Sequence, residues 1–275
     1  MKPSSFFLIF SLALFGSSTS LQLAHADPPD ATTPPLDIVY IGDSITAGAG
    51  LNQAKGDLTP PAACSAALRK WHFQVYDSNQ GHSGHTTKDF LPPAEPNPKC
   101  DFDKATTAAA QLVKEHPGTL IFSIMLGTND SAQRGPNGAP LSPEGYHDNL
   151  KAIIDRLIHG FPYCTVYVQH PTWYSPSTHN SSEYGPKGLE RLKSYDPVIH
   201  SLVEEYQQSF SQHDHARISE GDQAAFGYFE AHYAEVLRTE KGADGPFYLH
   251  PNKEGAVKLG EFWAKVMAPH QLPVH

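Results

Sequence analysis

Basic residues are scarce in this chain. Its 20 Lys and Arg stand against 29 Asp and Glu, for a formal net charge of −9 over 275 residues. With no basic cluster to offset that balance, broad electrostatic attraction to nucleic acid or to an anionic membrane surface is excluded. Long apolar runs are absent too. The longest, Phe6 to Phe15, covers about ten residues where a bilayer span needs roughly 20. Internal repeats, long low-complexity tracts and an apolar lid segment on the scale of a lipid are also missing. No group of Cys and His residues shows recognisable metal-ligand spacing, which argues against zinc. Cysteine is limited to Cys64, Cys100 and Cys164.

What is present begins with an export signal: Lys2, the apolar core from Phe6 to Phe15, and Ala24-His25-Ala26 as a small-residue cleavage site. Residues 1–26 are therefore set aside as a signal peptide, and the expected location is secreted or periplasmic. About 249 residues remain, the size of one α/β domain. In an oxidising compartment the expected disulfide is Cys64–Cys100, worth roughly 3–4 kcal/mol, with Cys164 a buried thiol. Three cysteines nevertheless permit three pairings.

Residues 27–36 are rich in proline and read as an extended lead-in, so the domain is expected over 37–275. Asp37 to Ile41 is a short β-branched and aromatic run ending at Gly42, the pattern of a buried parallel strand followed by a tight turn. Further strands are expected at Phe73–Tyr76, Leu120–Leu126 and Thr165–Gln169. Helical patterns lie between them, at Pro60–Lys70 and Asp103–His116 and after the cap Ser142-Pro143, with Tyr146, Leu150, Ile153, Ile154 and Leu157 on one face. A last helix is expected from about Asn252 to Met267. Such alternation implies a parallel sheet covered on both sides, with its reactive loops at the carboxyl ends of the strands.

Four short segments gather at that edge. Gly42-Asp43-Ser44-Ile45 supplies a hydroxyl in the turn that follows a strand; Asn79 to Thr87 is a glycine-rich turn; Gly127-Thr128-Asn129-Asp130 offers a side-chain amide; His250-Pro251-Asn252 offers a base. Taken singly, each is commonly only a turn, a cap or a surface histidine. Together and in this order they resemble the SGNH (GDSL) hydrolases, a family defined by Ser, Gly, Asn and His in four blocks. The resemblance covers nearly the whole chain after the signal. It implies a flavodoxin-like three-layer α/β/α sandwich with a central parallel sheet, and a serine esterase without a cofactor or metal. Ser44 is then the nucleophile and His250 the general base. The Ser44 N–H, the Gly84 N–H and the Asn129 amide form the oxyanion hole.

One position departs from the family. An aspartate usually precedes the histidine by three residues, and here that position is Phe247. Asp244 is the expected orienting carboxylate, a backbone carbonyl in a Ser-His dyad is the alternative, and Glu240 is a third choice. His82 and His85 lie three apart beside the expected hole, but with no third ligand at a recognisable spacing they read as polar lining of the cleft. Residues 170–188 form an aperiodic segment with Trp173, Tyr174 and Tyr184, which either wall a sugar or acyl site or pack beneath the loop. Asn180-Ser181-Ser182 is a glycosylation sequon, relevant only in a host that glycosylates. The expected substrate is a small-molecule or polysaccharide ester, with short acyl groups on carbohydrate favoured. Longer acyl esters, thioesters and a non-catalytic carbohydrate binder are the competing readings.

Overall fold

A computed structural model describes residues 34–209 and 216–268. The expected signal peptide and most of the lead-in lie outside the described residues. No helix among those described is long and apolar enough to cross a membrane.

The first strand, β1 (Leu36–Gly42), is buried along its whole length. It pairs in parallel with β2 (Val75–Gly81) on one side and β3 (Thr119–Met125) on the other. Parallel pairing continues through β4 (Thr165–Val168) to β5 (Arg217–Glu220), in the order β2-β1-β3-β4-β5. The chain leaves β1 in one direction and returns on its other side to β3, so the strand order reverses between β1 and β3. A crevice opens at the carboxyl ends of strands at such a switch point. This is the expected flavodoxin-like α/β sandwich.

Helices cover the sheet. A four-residue turn of helix, α1 (Ser44–Ala47), follows β1 directly. Thr59 caps α2 (Pro60–Lys70), whose leading prolines occupy positions where a missing N–H costs nothing. Next come α3 (Asp101–Glu115) and α4 (Pro143–Gly160), where Ser142 accepts from the Gly145 N–H and buries Tyr146, Leu150, Ile153, Ile154 and Leu157. Each such aliphatic side chain contributes about 1.5–3 kcal/mol by leaving water. The second half of the chain adds α5 (Gly185–Ser194), α6 (Asp196–Ser209), α7 (Ala225–Val236) and α8 (Lys253–Met267). Asn252 caps α8 through the Gly255 N–H, and α8 packs against α2.

Outside the main sheet stands an antiparallel hairpin, β6 (Leu237–Gly242) and β7 (Gly245–Pro251), which feeds directly into α8. Sequence periodicity missed this hairpin, together with β5 and α5–α7. It also placed the second strand too early, because β2 reads VYDSNQG, a polar run suited to a half-exposed sheet edge.

The expected Cys64–Cys100 disulfide does not form, and all three thiols are free. Cys64 turns into the α2–α8 interface with its Sγ 4.0 Å from Met267 Sδ, while Cys100 directs its thiol to the Leu91 carbonyl. Cys164 is buried, and burial pushes its thiol up to about 12.

Candidate active site

Gly42 ends β1 where any side chain would collide with its surroundings, since a Cβ there would lie 2.1 Å from Thr46 Oγ1 and 2.8 Å from the Met125 carbonyl. That close packing lets the chain turn at once into α1. Asp43 caps the turn by accepting from the Ile45 N–H at 2.9 Å. Burial pushes the Asp43 carboxyl up to about 6, against the opposing pull of that N–H and of the nearby His250 charge. Ser44 becomes the first residue of α1, where backbone N–H groups have no acceptor within the helix and face outward.

His250 reaches the serine. Its Nε2 lies 2.9 Å from Ser44 Oγ, although 206 positions separate the two residues. Its Nδ1 lies 2.9 and 3.0 Å from the two carboxylate oxygens of Glu240, and the His250 backbone N–H donates to Glu240 Oε1 at 3.0 Å. Ring and backbone are therefore held by one side chain. Burial alone would raise the Glu240 carboxyl, but the two His250 hydrogen bonds, the imidazole charge and the Arg238 guanidinium outweigh it and hold it below the usual glutamate range. Arg238 is itself anchored on the Ala49 carbonyl at 3.1 Å.

This arrangement corrects the expectation for Asp244. That residue lies in the turn of the hairpin, 71 % exposed, with its carboxylate on His179 Nδ1 at 2.6 Å. Six residues of extended strand carry the chain roughly 20 Å, which puts Asp244 out of reach of His250. Phe247, at the family's aspartate position, is only 1 % exposed and belongs to the core. A carboxylate there would be buried among apolar groups. Glu240 stands opposite Phe247 on the neighbouring strand, so the acid is supplied across the hairpin.

A bulge explains how it connects. Leu237 pairs with Pro251 and Thr239 with Tyr248, so Leu249 and His250 together face the single residue Arg238. The extra residue removes the His250 N–H from the ladder and leaves it to the Glu240 side chain. Bulges commonly re-aim side chains in this way beside active sites. The Ala243-Asp244 turn, closed by Gly245 at φ +109°, was the available sequence signal for the hairpin.

Gly84 and Asn129, the expected oxyanion donors, come from the loops that follow β2 and β3. His85 N–H donates to the His82 carbonyl at 3.2 Å, closing a turn in which Gly84 takes φ +81°. Nothing lies within 4 Å of a Cβ built on Gly84, so the constraint there is the left-handed backbone and not lack of space. Asn129 Nδ2 donates to the His85 carbonyl at 2.9 Å, and Asn129 Oδ1 accepts from Tyr184 OH at 2.7 Å. One amide hydrogen thus secures the Gly84 turn and the second is available. Asp130 ties the same two segments together by accepting from the Thr87 N–H at 3.0 Å. Burial pushes its carboxyl up to about 6, opposed by the Thr87 hydrogen bonds.

Tyr184 is the residue sequence reasoning left undecided. Trp173, Tyr174 and Tyr184 are all buried beneath their loop. Tyr174 OH meets Ser131 Oγ at 2.9 Å, and Tyr184 sets the orientation of the Asn129 amide.

The family model described as GDSL-like Lipase/Acylhydrolase matches residues 40–257. No curated protein matches the sequence. Among solved structures, the chain is similar to LAE5, an alpha/beta hydrolase enzyme from the metagenome of Lake Arreo, Spain, at 20% identity and TM-score 0.52, covering 86% of this chain and 96% of that one. A carbohydrate esterase family 3 structure from Talaromyces cellulolyticus is similar at 16% identity and TM-score 0.54, covering 86% and 98%. Est24, a carbohydrate acetylesterase from Sinorhizobium meliloti, is similar at 18% identity and TM-score 0.50, covering 85% and 99%. Likeness at these identities establishes the shared fold.

Proposed function

Starting from the fact that the chain belongs to the GDSL-like lipase/acylhydrolase family, we propose that it hydrolyses carboxylic esters through an acyl-enzyme on Ser44. The observation that carries this reading is the 2.9 Å contact between His250 Nε2 and Ser44 Oγ, with Glu240 on the far side of the ring. Neutral His250 takes the proton as Ser44 Oγ bonds to the ester carbonyl carbon, and the carbonyl oxygen becomes an oxyanion. The Ser44 and Gly84 N–H groups and the free Asn129 amide hydrogen stabilise that charge. Collapse of the intermediate breaks the bond to the alcohol, which leaves with the proton from His250. Water, deprotonated by His250, then attacks the acyl-enzyme and releases the acid and Ser44. Glu240 holds the Nδ1 proton throughout and stabilises the imidazolium as it forms.

For substrate, we favour short acyl groups on carbohydrate outside the cytoplasm. Support comes from the export-signal pattern and from Tyr233, which is exposed and packs edge-on to Tyr248, two residues from His250 on β7. An exposed aromatic ring there offers an apolar face of the kind a sugar ring can cover. The names of two structural neighbours point the same way. A non-catalytic binder loses its main motive once Glu240 occupies the place behind His250.

The test is release of p-nitrophenol from acetate and octanoate esters by wild type and Ser44→Ala. Loss of about 10⁴-fold or more in kcat with the variant is expected. Equal rates for the two proteins would favour the binder, and preference for octanoate would favour a longer-chain acylhydrolase. Acetate release from acetylated glycans then identifies the alcohol.

A further inference from the structure

We infer that His82, His85 and Asp101 form a binding site for a divalent d-block cation such as Zn²⁺, mounted on the turn that holds Gly84. Sequence spacing offered only two of these ligands. Folding brings the third from the first turn of α3, and one ligand atom from each of the three residues lies within 4.8 Å of the others. His85 Nδ1 is 2.7 Å from Asp101 Oδ2, and His82 Nδ1 is 3.7 Å from Asp101 Oδ1.

Several features favour a shared cation over a simple ion pair. Although His85 Nδ1 lies close to the carboxylate and is buried, it makes no hydrogen bond. The approach has the distance of a hydrogen bond without its direction. The two imidazole rings stack with centroids 5.1 Å apart, and His82 Nδ1, 3.2 Å from the Gln80 carbonyl, exchanges that contact for the cation. Two imidazoles and one carboxylate make up the donor set that open zinc sites use, leaving a fourth position for water. Hard cations such as Mg²⁺ and Ca²⁺ prefer oxygen ligands and suit it poorly. Both histidines are partly exposed, which provides an entry path, while Asp101 is buried. Lys104 Nζ sits 2.8 Å from Asp101 Oδ1 and competes for that oxygen. Its aliphatic stem and 41 % exposure allow it to turn to solvent when a cation arrives.

The location gives the site a consequence. His82 and His85 are the first and last residues of the turn whose third residue is Gly84, and the His85 carbonyl receives the Asn129 amide. A cation joining both rings to α3 would fix that turn without touching the reacting atoms. Its role is to position the hole, and the ester chemistry proceeds on Ser44 and His250.

Untagged protein titrated with Co²⁺, followed by its visible absorption, and with Zn²⁺, followed by calorimetry, tests the inference. One ion per chain is expected, with the melting temperature rising with free Zn²⁺. His82→Gln, His85→Gln and Asp101→Asn should each weaken binding by about a hundredfold or more, Lys104→Met should tighten it, and His250→Ala should leave it unchanged. His82→Gln alters the most exposed of the three ligands and keeps the test valid if Asp101→Asn fails to fold. Absence of saturable binding would overturn the inference, as would affinity unaffected by these ligand variants or abolished by His250→Ala.

Discussion

The two halves of the candidate site are built by different means. The proposed nucleophile and oxyanion donors hang from the carboxyl ends of β1, β2 and β3, three adjacent strands of the main sheet. The proposed base and its carboxylate come from a two-stranded hairpin that shares no ladder with that sheet. On the first side, position follows from the fold, since parallel strands end together and their loops must meet. On the second, position follows from a single bulge and a single side chain, Glu240, that bonds both the ring and the backbone of His250. Sheet-borne parts of the site share their positioning among several supports, Asp130 and Tyr184 among them, whereas the hairpin concentrates its precision in one carboxylate.

Exchange of the carboxylates separates the halves most strongly. Glu240→Gln presents an amide to Nδ1 and favours the wrong tautomer, so kcat should fall by about 10³–10⁴-fold with little change in KM. Asp244→Asn removes only the surface contact with His179 and should leave kcat near that of wild type. Steady-state kinetics on p-nitrophenyl acetate reads both. A near-normal Glu240→Gln enzyme would mean that the hairpin does not orient the base.

On the sheet side the effects are graded. Asn129→Ala removes one oxyanion donor and should lower kcat by about 10²–10³-fold. Tyr184→Phe keeps the amide but frees its orientation, and a loss of roughly tenfold, about 1.4 kcal/mol, is expected in kcat. If Tyr184→Phe matched Asn129→Ala, the tyrosine would be touching substrate and not acting through the amide.

The smallest effect on turnover is expected at Asp37, where the change concerns stability alone. Asp37 lies in β1 at 0 % exposure with neither carboxylate oxygen hydrogen-bonded, and burial, partly offset by the His116 charge, pushes it up to about 6. A carboxyl raised in the folded state destabilises the fold fully above that value and not at all below its unfolded value near 3.8. Asp37→Val should therefore raise the melting temperature by an amount that grows between pH 4 and pH 7. Equal gains at pH 4 and pH 8 would contradict the charge argument.

The contrast also marks what the sequence made legible. β1, α2, α4 and α8 could be read because burial imposes a pattern: β-branched residues before Gly42, prolines after Thr59, Ser142-Pro143 ahead of a striped helix, and Asn252 ahead of another. Ser44, Gly84, Asn129 and His250 could be located because backbone-bound chemistry needs short, ordered motifs. Glu240 could not be placed, since a cross-strand partner has no fixed offset from His250 and depends on a bulge that leaves no composition signal. Asp101 stayed hidden for the same reason, since its nearness to His85 exists only once α3 packs beside β2. Tyr184 was ambiguous because an aromatic in a loop reads alike whether it faces solvent or an amide.

Proton NMR of the ring of His250 tests the central claim most directly. An Nδ1 proton held between imidazole and carboxylate should give a strongly downfield resonance in wild type that disappears in Glu240→Gln and persists in Asp244→Asn. A resonance that survives Glu240→Gln and vanishes in Asp244→Asn would contradict the account.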